Sequence, residues 1–256
     1  MLSYVESFVI VALVLVASLL LVAGLNRFWP VANRKLINDV TGWQLGILGT
    51  TYGVILGFML GTVWEDFHTA DVGVYLEANS LMNAHEIAAG LTSPQKETMQ
   101  RLMVKYADVA VNEEWPAMQR QQTSHAGERV IGEMWQVLMT ARTDSDMESA
   151  SVKDLTTVLG NLSERRSMRE QAHAVRLPVL LWVLLIAGAG ATIGSACLLG
   201  NDNRWLHYCQ VLALTFVVTV TLSAIADLAR PFEGAMAVSS VAFQRALELM
   251  QQNAAR

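Results

Sequence analysis

Two Glu-x-x-His spacings raise the question of chemistry: Glu65 with His68, and Glu170 with His173. Three residues of helix bring both members of each pair to one face. Two such pairs, joined by one glutamate from each of two further helices, build a carboxylate di-iron centre. Glu77, Glu113 and Glu114 could supply the extra ligands. Both pairs fall just outside long apolar runs, but also inside charged stretches, where ionic contacts along a helix face explain the same spacing. The sequence is therefore read as holding no metal and no cofactor. Glu65, His68, Glu170 and His173 are the residues on which a metal would have to depend. There is no glycine-rich phosphate loop, no Gly-x-Ser-x-Gly and no Cys/His zinc spacing, so no enzyme is expected.

A second pattern runs through residues 49–69. Gly49, Gly53, Gly57 and Gly61 recur every four residues. At about 100° per residue they drift slowly round one broad helix face. Thr51, Ile55, Phe58, Thr62, Glu65 and Thr69 keep close to a different line. Small residues let a neighbouring helix approach closely, which leaves the other line free to face an axis. That line is polar, then apolar, then polar, then acidic. Hydrophobic constrictions gate by dewetting and acidic rings favour cations. Thr51, Ile55, Phe58, Thr62 and Glu65 are thus candidate pore-lining residues, with the four glycines as candidate helix-packing residues. The competing reading is plain membrane packing, for which small-residue faces are common. A further polar stripe, Thr215, Thr219, Ser223 and Asp227, is either a second hydrated surface or a set of hydroxyls bonded to their own helix.

The elements that carry these residues are spanning helices. Of the 256 residues, 53% are hydrophobic and only 16% charged, against about a quarter charged in soluble domains. Four runs, Tyr4–Leu25, Trp43–Trp64, Pro178–Gly200 and Trp205–Ala226, each match the ~20 apolar residues needed to cross a bilayer. The first run lacks a basic leader and is too long for a signal peptide, so it is read as a retained helix. The net charge of −5 leaves no basic footprint for nucleic acid. Cys197 and Cys209 lie in or beside the apolar runs and make no disulfide framework.

The expected fold is all-α: an integral membrane protein with four transmembrane helices and a helical extramembrane domain between the second and third. The expected segments are a first hairpin over 1–64, the helical domain over 65–177, a second hairpin over 178–226 and a helical tail over 227–256. The second span should continue without a break to about Gly90. Ser93 should cap a helix that has Pro94 at its first position, and Pro116 should end or kink it. A further helix covers roughly Glu128–Thr140, and the next runs from about Met147 into the third span. Glu113-Glu114-Trp115-Pro116 reads as a turn with solvated carboxylates. Arg165, Arg166 and Arg169 are expected to pair between helices or subunits, with anionic lipid as the second choice. Basic residues lie on both sides of the spans, so orientation by the positive-inside rule is split.

"TGWQLGILGTTYGVILGFMLGTVWEDFHTA" (41–70), "EANSL" (77–81), "EEWPAM" (113–118) and "RPFEG" (230–234), in this order around four spans, resemble the bestrophin-like family of bacterial membrane proteins. The resemblance implies a homo-oligomer, five-fold as in bestrophins, around an axial ion path lined by the second span. It implies an inner-membrane location, with the middle domain and both termini cytoplasmic. Inorganic ions, membrane lipid and further copies of the chain are then its partners. The short tail carries no acidic calcium clasp, so calcium gating is not implied. Two rivals stand beside the channel. One is a non-conducting membrane sensor or assembly scaffold whose helical domain binds a protein. The other is a proton channel of the motor-driving type.

Overall fold

The structure is a computed structural model and describes residues 4–141, 144–234 and 236–254. Every regular element among the described residues is helical. The helices are α1 (Tyr4–Phe28), α2 (Val31–Lys35), α3 (Asn38–Ile87), α4 (Gln95–Val109), α5 (Trp115–Gln119), α6 (Ala126–Met139), α7 (Asp146–Ala174), α8 (Val179–Leu198), α9 (Arg204–Leu228) and α10 (Val241–Ala254). Four are long and apolar enough to cross a membrane: α1, α3, α8 and α9. Contacts divide the chain into two units, Met1–Glu65 with Arg176–Ala229, and Asp66–Val175 with Arg230–Arg256.

In the first unit α1, α8 and α9 pack on one another. Val22, Ala196, Cys197 and Val211 form a buried cluster there. Phe8, Leu13 and Leu20 of α1 are exposed, as an apolar face is when lipid replaces water as the solvent. The link between the first two spans closes against the turn of the second hairpin. Arg34 is fully buried and donates to the carbonyls of Cys197 (3.2 Å) and Leu199 (3.4 Å), and to the Asn26 side-chain oxygen. A cation there meets the negative end of the α8 dipole. Asn38 clasps the Gly200 backbone twice, donating to its carbonyl at 2.7 Å and accepting from its N–H at 2.8 Å. Gly200 has no room for a side chain, since a Cβ would lie 2.9 Å from the Lys35 nitrogen and 3.0 Å from the Val31 carbonyl oxygen. Lys35 pairs with Asp202 in the open.

α3 has 50 residues, about 75 Å of helix at 1.5 Å per residue, and exceeds the ~30 Å hydrocarbon core. No proline interrupts Trp64–Ile87, and the helix is continuous through Glu65 and Asp66. In the second unit its distal part joins α4, α6, α7 and α10 around one core that includes Leu81, Met103, Met134, Leu159 and Phe243.

Three local expectations change. Ser93 is not a cap: Pro94 holds the N-cap place, and the Ser93 hydroxyl donates instead to Glu97 (2.7 Å). Pro116 does not end its helix: a π-helical turn, Ala110–Glu114, precedes it and α5 continues to Gln119. Proline cannot supply the N–H that the carbonyl four residues back would accept, and a π turn is one way to absorb the mismatch. The helix from Met147 does not run into the third span. α7 begins under a capping box of Ser145 and Glu148 and stops at Ala174, with Val175 extended. The residue before a proline is driven out of the α region, and Pro178 then starts α8 afresh.

Arg34→Ala should lower stability by about 1.5–3 kcal/mol, the range for hydrogen bonds to a charged group. Lys35→Ala should change it by no more than about 1 kcal/mol, since that pair is exposed. Thermal melting of the purified protein in detergent distinguishes the two.

Candidate functional site

Within the first unit α3 presents three faces roughly a third of a turn apart. One carries Tyr52, Leu56 and Val63, all buried. Tyr52 donates its hydroxyl to the Leu185 carbonyl of α8 at 2.7 Å. The second face carries Gly49, Gly53, Gly57 and Gly61. A Cβ added at any of the four meets no atom of the chain within 4 Å. The third carries the candidate pore line. Thr51, Thr62 and Glu65 are exposed, Ile55 is half-buried, and Phe58 is 76% exposed. Thr62 donates to the Phe58 carbonyl at 3.0 Å, which leaves its oxygen as an acceptor only. The other stripe lies differently. Thr215 and Thr219 are buried inside the unit, Ser223 and Asp227 are half-buried, and Thr219 donates to the Thr215 carbonyl at 2.7 Å.

The second unit is built round a buried ionic cluster. Arg169 of α7 makes a two-pronged contact with Glu77 of α3: Nε to Oε2 at 2.8 Å and Nη2 to Oε1 at 3.0 Å. The same Nη2 reaches Glu114 at 2.6 Å. Arg166, one turn back on α7, donates to the other Glu114 oxygen at 2.8 Å and to the Ser124 carbonyl at 3.3 Å. Tyr106 of α4 donates to Glu77 at 2.6 Å, and the Gly127 N–H donates to Glu114 at 3.1 Å. Two buried guanidiniums thus face two buried carboxylates, one for one. Trp115 lies under Arg169, whose central carbon sits 4.9 Å from the ring centroid, a cation–π distance. Phe232 and Phe243 flank that ring, and its Nε1–H donates to the Val238 carbonyl at 3.1 Å.

The electrostatics follow from this crowding. Burial alone would raise the Glu114 pKa, but Arg169 and Arg166 outweigh it and hold the carboxyl below its ordinary range. Burial works against the charge of Arg169, yet Glu77 above all lifts its pKa well above the usual value. Burial, then Glu77, pushes the Tyr106 phenol well up, so it stays a donor.

The Glu-x-x-His residues take other roles. Glu170 pairs with Arg166 at 2.7 Å on the rim of the cluster. His173 is buried, its ring 6.4 Å from Phe232. Glu65 and His68 are exposed. No group of three or more His, Cys, Asp or Glu among the described residues could hold a metal ion. Glu113 is solvated as read from the sequence, but Glu114 is not. The π turn directs it into the core, where the arginines need it. Arg166 and Arg169 pair between helices, which leaves neither for lipid. Glu77 stands in the "EANSL" stretch, but no spacing in the sequence pairs it with Arg169 or Tyr106. The available hint was Glu77, which falls on the buried side of α3 with Val74, Ala78 and Leu81.

Glu114→Gln should cost roughly 3–5 kcal/mol, because it strands buried guanidinium charge. Arg169→Lys should not rescue Arg169→Met, since a single ammonium cannot make the two-pronged contact. The pH dependence has a definite sign. The lowered Glu114 pKa contributes stability that is complete above its unfolded value, near 4.5, and is lost as pH falls through the lower folded value. Melting curves against pH should therefore show an acid limb that Glu114→Gln flattens.

Residues 12–243 match the Bestrophin-like domain family. Among solved structures the chain is similar to variants of a bacterial bestrophin homologue from Klebsiella pneumoniae. Two of them align with a TM-score of 0.73, at 11% and 10% identity, over 96% of this chain and 98% and 99% of theirs. A third aligns with a TM-score of 0.71 at 12% identity, over 94% of this chain and 98% of its own. At such identities the likeness is one of fold. No curated protein matches. The "EANSL", "EEWPAM" and "RPFEG" stretches, far apart in sequence, supply Glu77, Glu114, Trp115 and Phe232 to one cluster, and the family match spans α1 to α10: the chain belongs to the bestrophin-like family.

Proposed function

We propose that copies of this chain assemble into an ion channel whose path is lined by α3. The observation that carries the reading is the division of that helix into three faces. Its own subunit covers one face only. The glycine face is open and smooth, suited to the close approach of a helix from a second copy. The remaining face holds two threonines and a carboxylate, an unfavourable surface to turn toward lipid tails.

Ions passing along that face would meet hydroxyl oxygens at Thr51, a narrow apolar stretch at Ile55 and Phe58, oxygens again at Thr62, and then Glu65. The acceptor oxygen of Thr62 and the negative charge of Glu65 both favour cations, and the apolar stretch is a natural place for a gate that dries. Membership of the bestrophin-like family supports the same arrangement of parts, with five subunits as the expected number. The proposed setting is the bacterial inner membrane, with the helical middle segment and both termini on the cytoplasmic side.

Reconstitution of the purified oligomer in planar bilayers tests this. Under a salt gradient the protein should conduct with a cation preference. Glu65→Gln should move the reversal potential toward that of an unselective pore, and Phe58→Ala should raise the unitary conductance. A correctly assembled oligomer that passes no current at any voltage or gradient favours a non-conducting scaffold instead.

A further inference from the structure

We infer that Tyr52 and Gly188 act as a paired lock that sets the rotation of α3, and so decides which of its side chains meet the ion path. The inference rests on the reading of α3 as the pore helix.

Two polar anchors hold the inward face of α3 to the rest of its unit. The first is Asn38, at the helix start, which grips the Gly200 backbone. The second is Tyr52, 14 residues on, or about 21 Å along the axis. Tyr52 is 5% exposed, its hydroxyl ends on the Leu185 carbonyl, and the Cδ2–Cε2 edge of its ring lies against Gly188. A Cβ at position 188 would sit 2.5 Å from both Cδ2 and Cε2 of that ring. The neighbouring glycines of α8, Gly190 and Gly194, have nothing within 4 Å of such a Cβ. Gly188 alone of the three is shaped by the tyrosine.

Leu56 and Val63 share the inward face with Tyr52 but make only apolar contacts, which tolerate sliding and turning. A planar ring in a slot, tied at its tip to a fixed carbonyl, does not. Each residue of helix turns the wheel by about 100°, so even a modest rotation would swing Thr51, Phe58 and Thr62 away from an axis and bring glycines or buried aliphatics toward it. Tyr52 touches no ion in this reading. It is a positioning residue, and Gly188 is the space that lets it work.

The test reads rotation directly. In the full-length protein with Cys197→Ala and Cys209→Ala, single cysteines are placed at Phe58, at Thr62, and at Leu60 on the opposite side of the helix. Their modification rates by a charged methanethiosulfonate are measured in reconstituted vesicles. With Tyr52 and Gly188 intact, positions 58 and 62 should react at least about tenfold faster than position 60. Gly188→Ala and Tyr52→Leu should each cut that ratio by about threefold or more. Combining them should restore the ratio above that of Gly188→Ala alone, because the methyl then meets no ring. A general loss of structure would show instead as a lower melting temperature and would not be repaired by the second change. If positions 58 and 62 are unreactive in the otherwise intact protein, the pore reading itself fails. If they react but the ratio ignores both substitutions, or the pair is no better than Gly188→Ala, the pore reading stands and the lock is overturned. Should Gly188→Ala not assemble, Tyr52→Leu decides alone, with an unchanged ratio counting against the lock.

Discussion

A guanidinium shut away from water sets the terms for the second unit. Arg169 is almost fully enclosed, and an isolated charge in such a place would cost several kcal/mol. It is stable only because Glu77 and Glu114 reach it from elements that lie 92 and 55 residues away along the chain. Everything near it can be understood as a condition for that meeting. The π turn aims Glu114, Tyr106 occupies a Glu77 oxygen, Arg166 balances the second carboxylate, and Trp115 floors the site. The strap containing Phe232 and Val238 closes over the tryptophan. Such clusters are not efficient sources of stability, since well-packed hydrophobes of the same volume can do as well. Their strength is geometric, because a two-pronged arginine contact accepts one arrangement of its partners and rejects its neighbours.

The first unit follows different rules. Apolar side chains there gain little by leaving lipid for protein, so many stay outside, and order depends on a few specific contacts. Arg34 at the end of α8, the Asn38 clasp on Gly200, and Tyr52 in the slot at Gly188 are contacts of that kind. Each joins a side chain to backbone carbonyls or to a glycine, where a wrong residue is excluded by shape.

The sequence made some of this legible and hid the rest for physical reasons. Four apolar runs announce themselves because the bilayer demands a length. The unbroken passage from Trp64 through Glu65 and Asp66 was readable because no proline or glycine stands there. Pairing of the α7 arginines was expected between helices or subunits, and Arg166 and Arg169 pair between helices. Hidden features depended on partners distant in sequence. Glu113 and Glu114 are the same residue type side by side, and only the π turn makes one solvated and the other central. The break before Pro178 was read through because the apolar pattern resumes at once. Ser93 looked like a cap, but Pro94 takes that place and the Ser93 hydroxyl donates to the Glu97 side chain. The space at Gly188 is invisible beside Gly190 and Gly194 until the tyrosine that fills it is in view.

The π turn at Ala110–Glu114 has one more consequence, for the comparison of relatives. A π turn is an α-helix with one residue too many. A related chain that lacked that residue could keep an ordinary helix and the same neighbours downstream, but its acid would point about 100° away from the arginines. Sequences aligned across this helix should therefore divide by length as well as by residue type. A single-residue gap beside the glutamate would mark a chain that has given up the ionic centre, together with the arginines that required it.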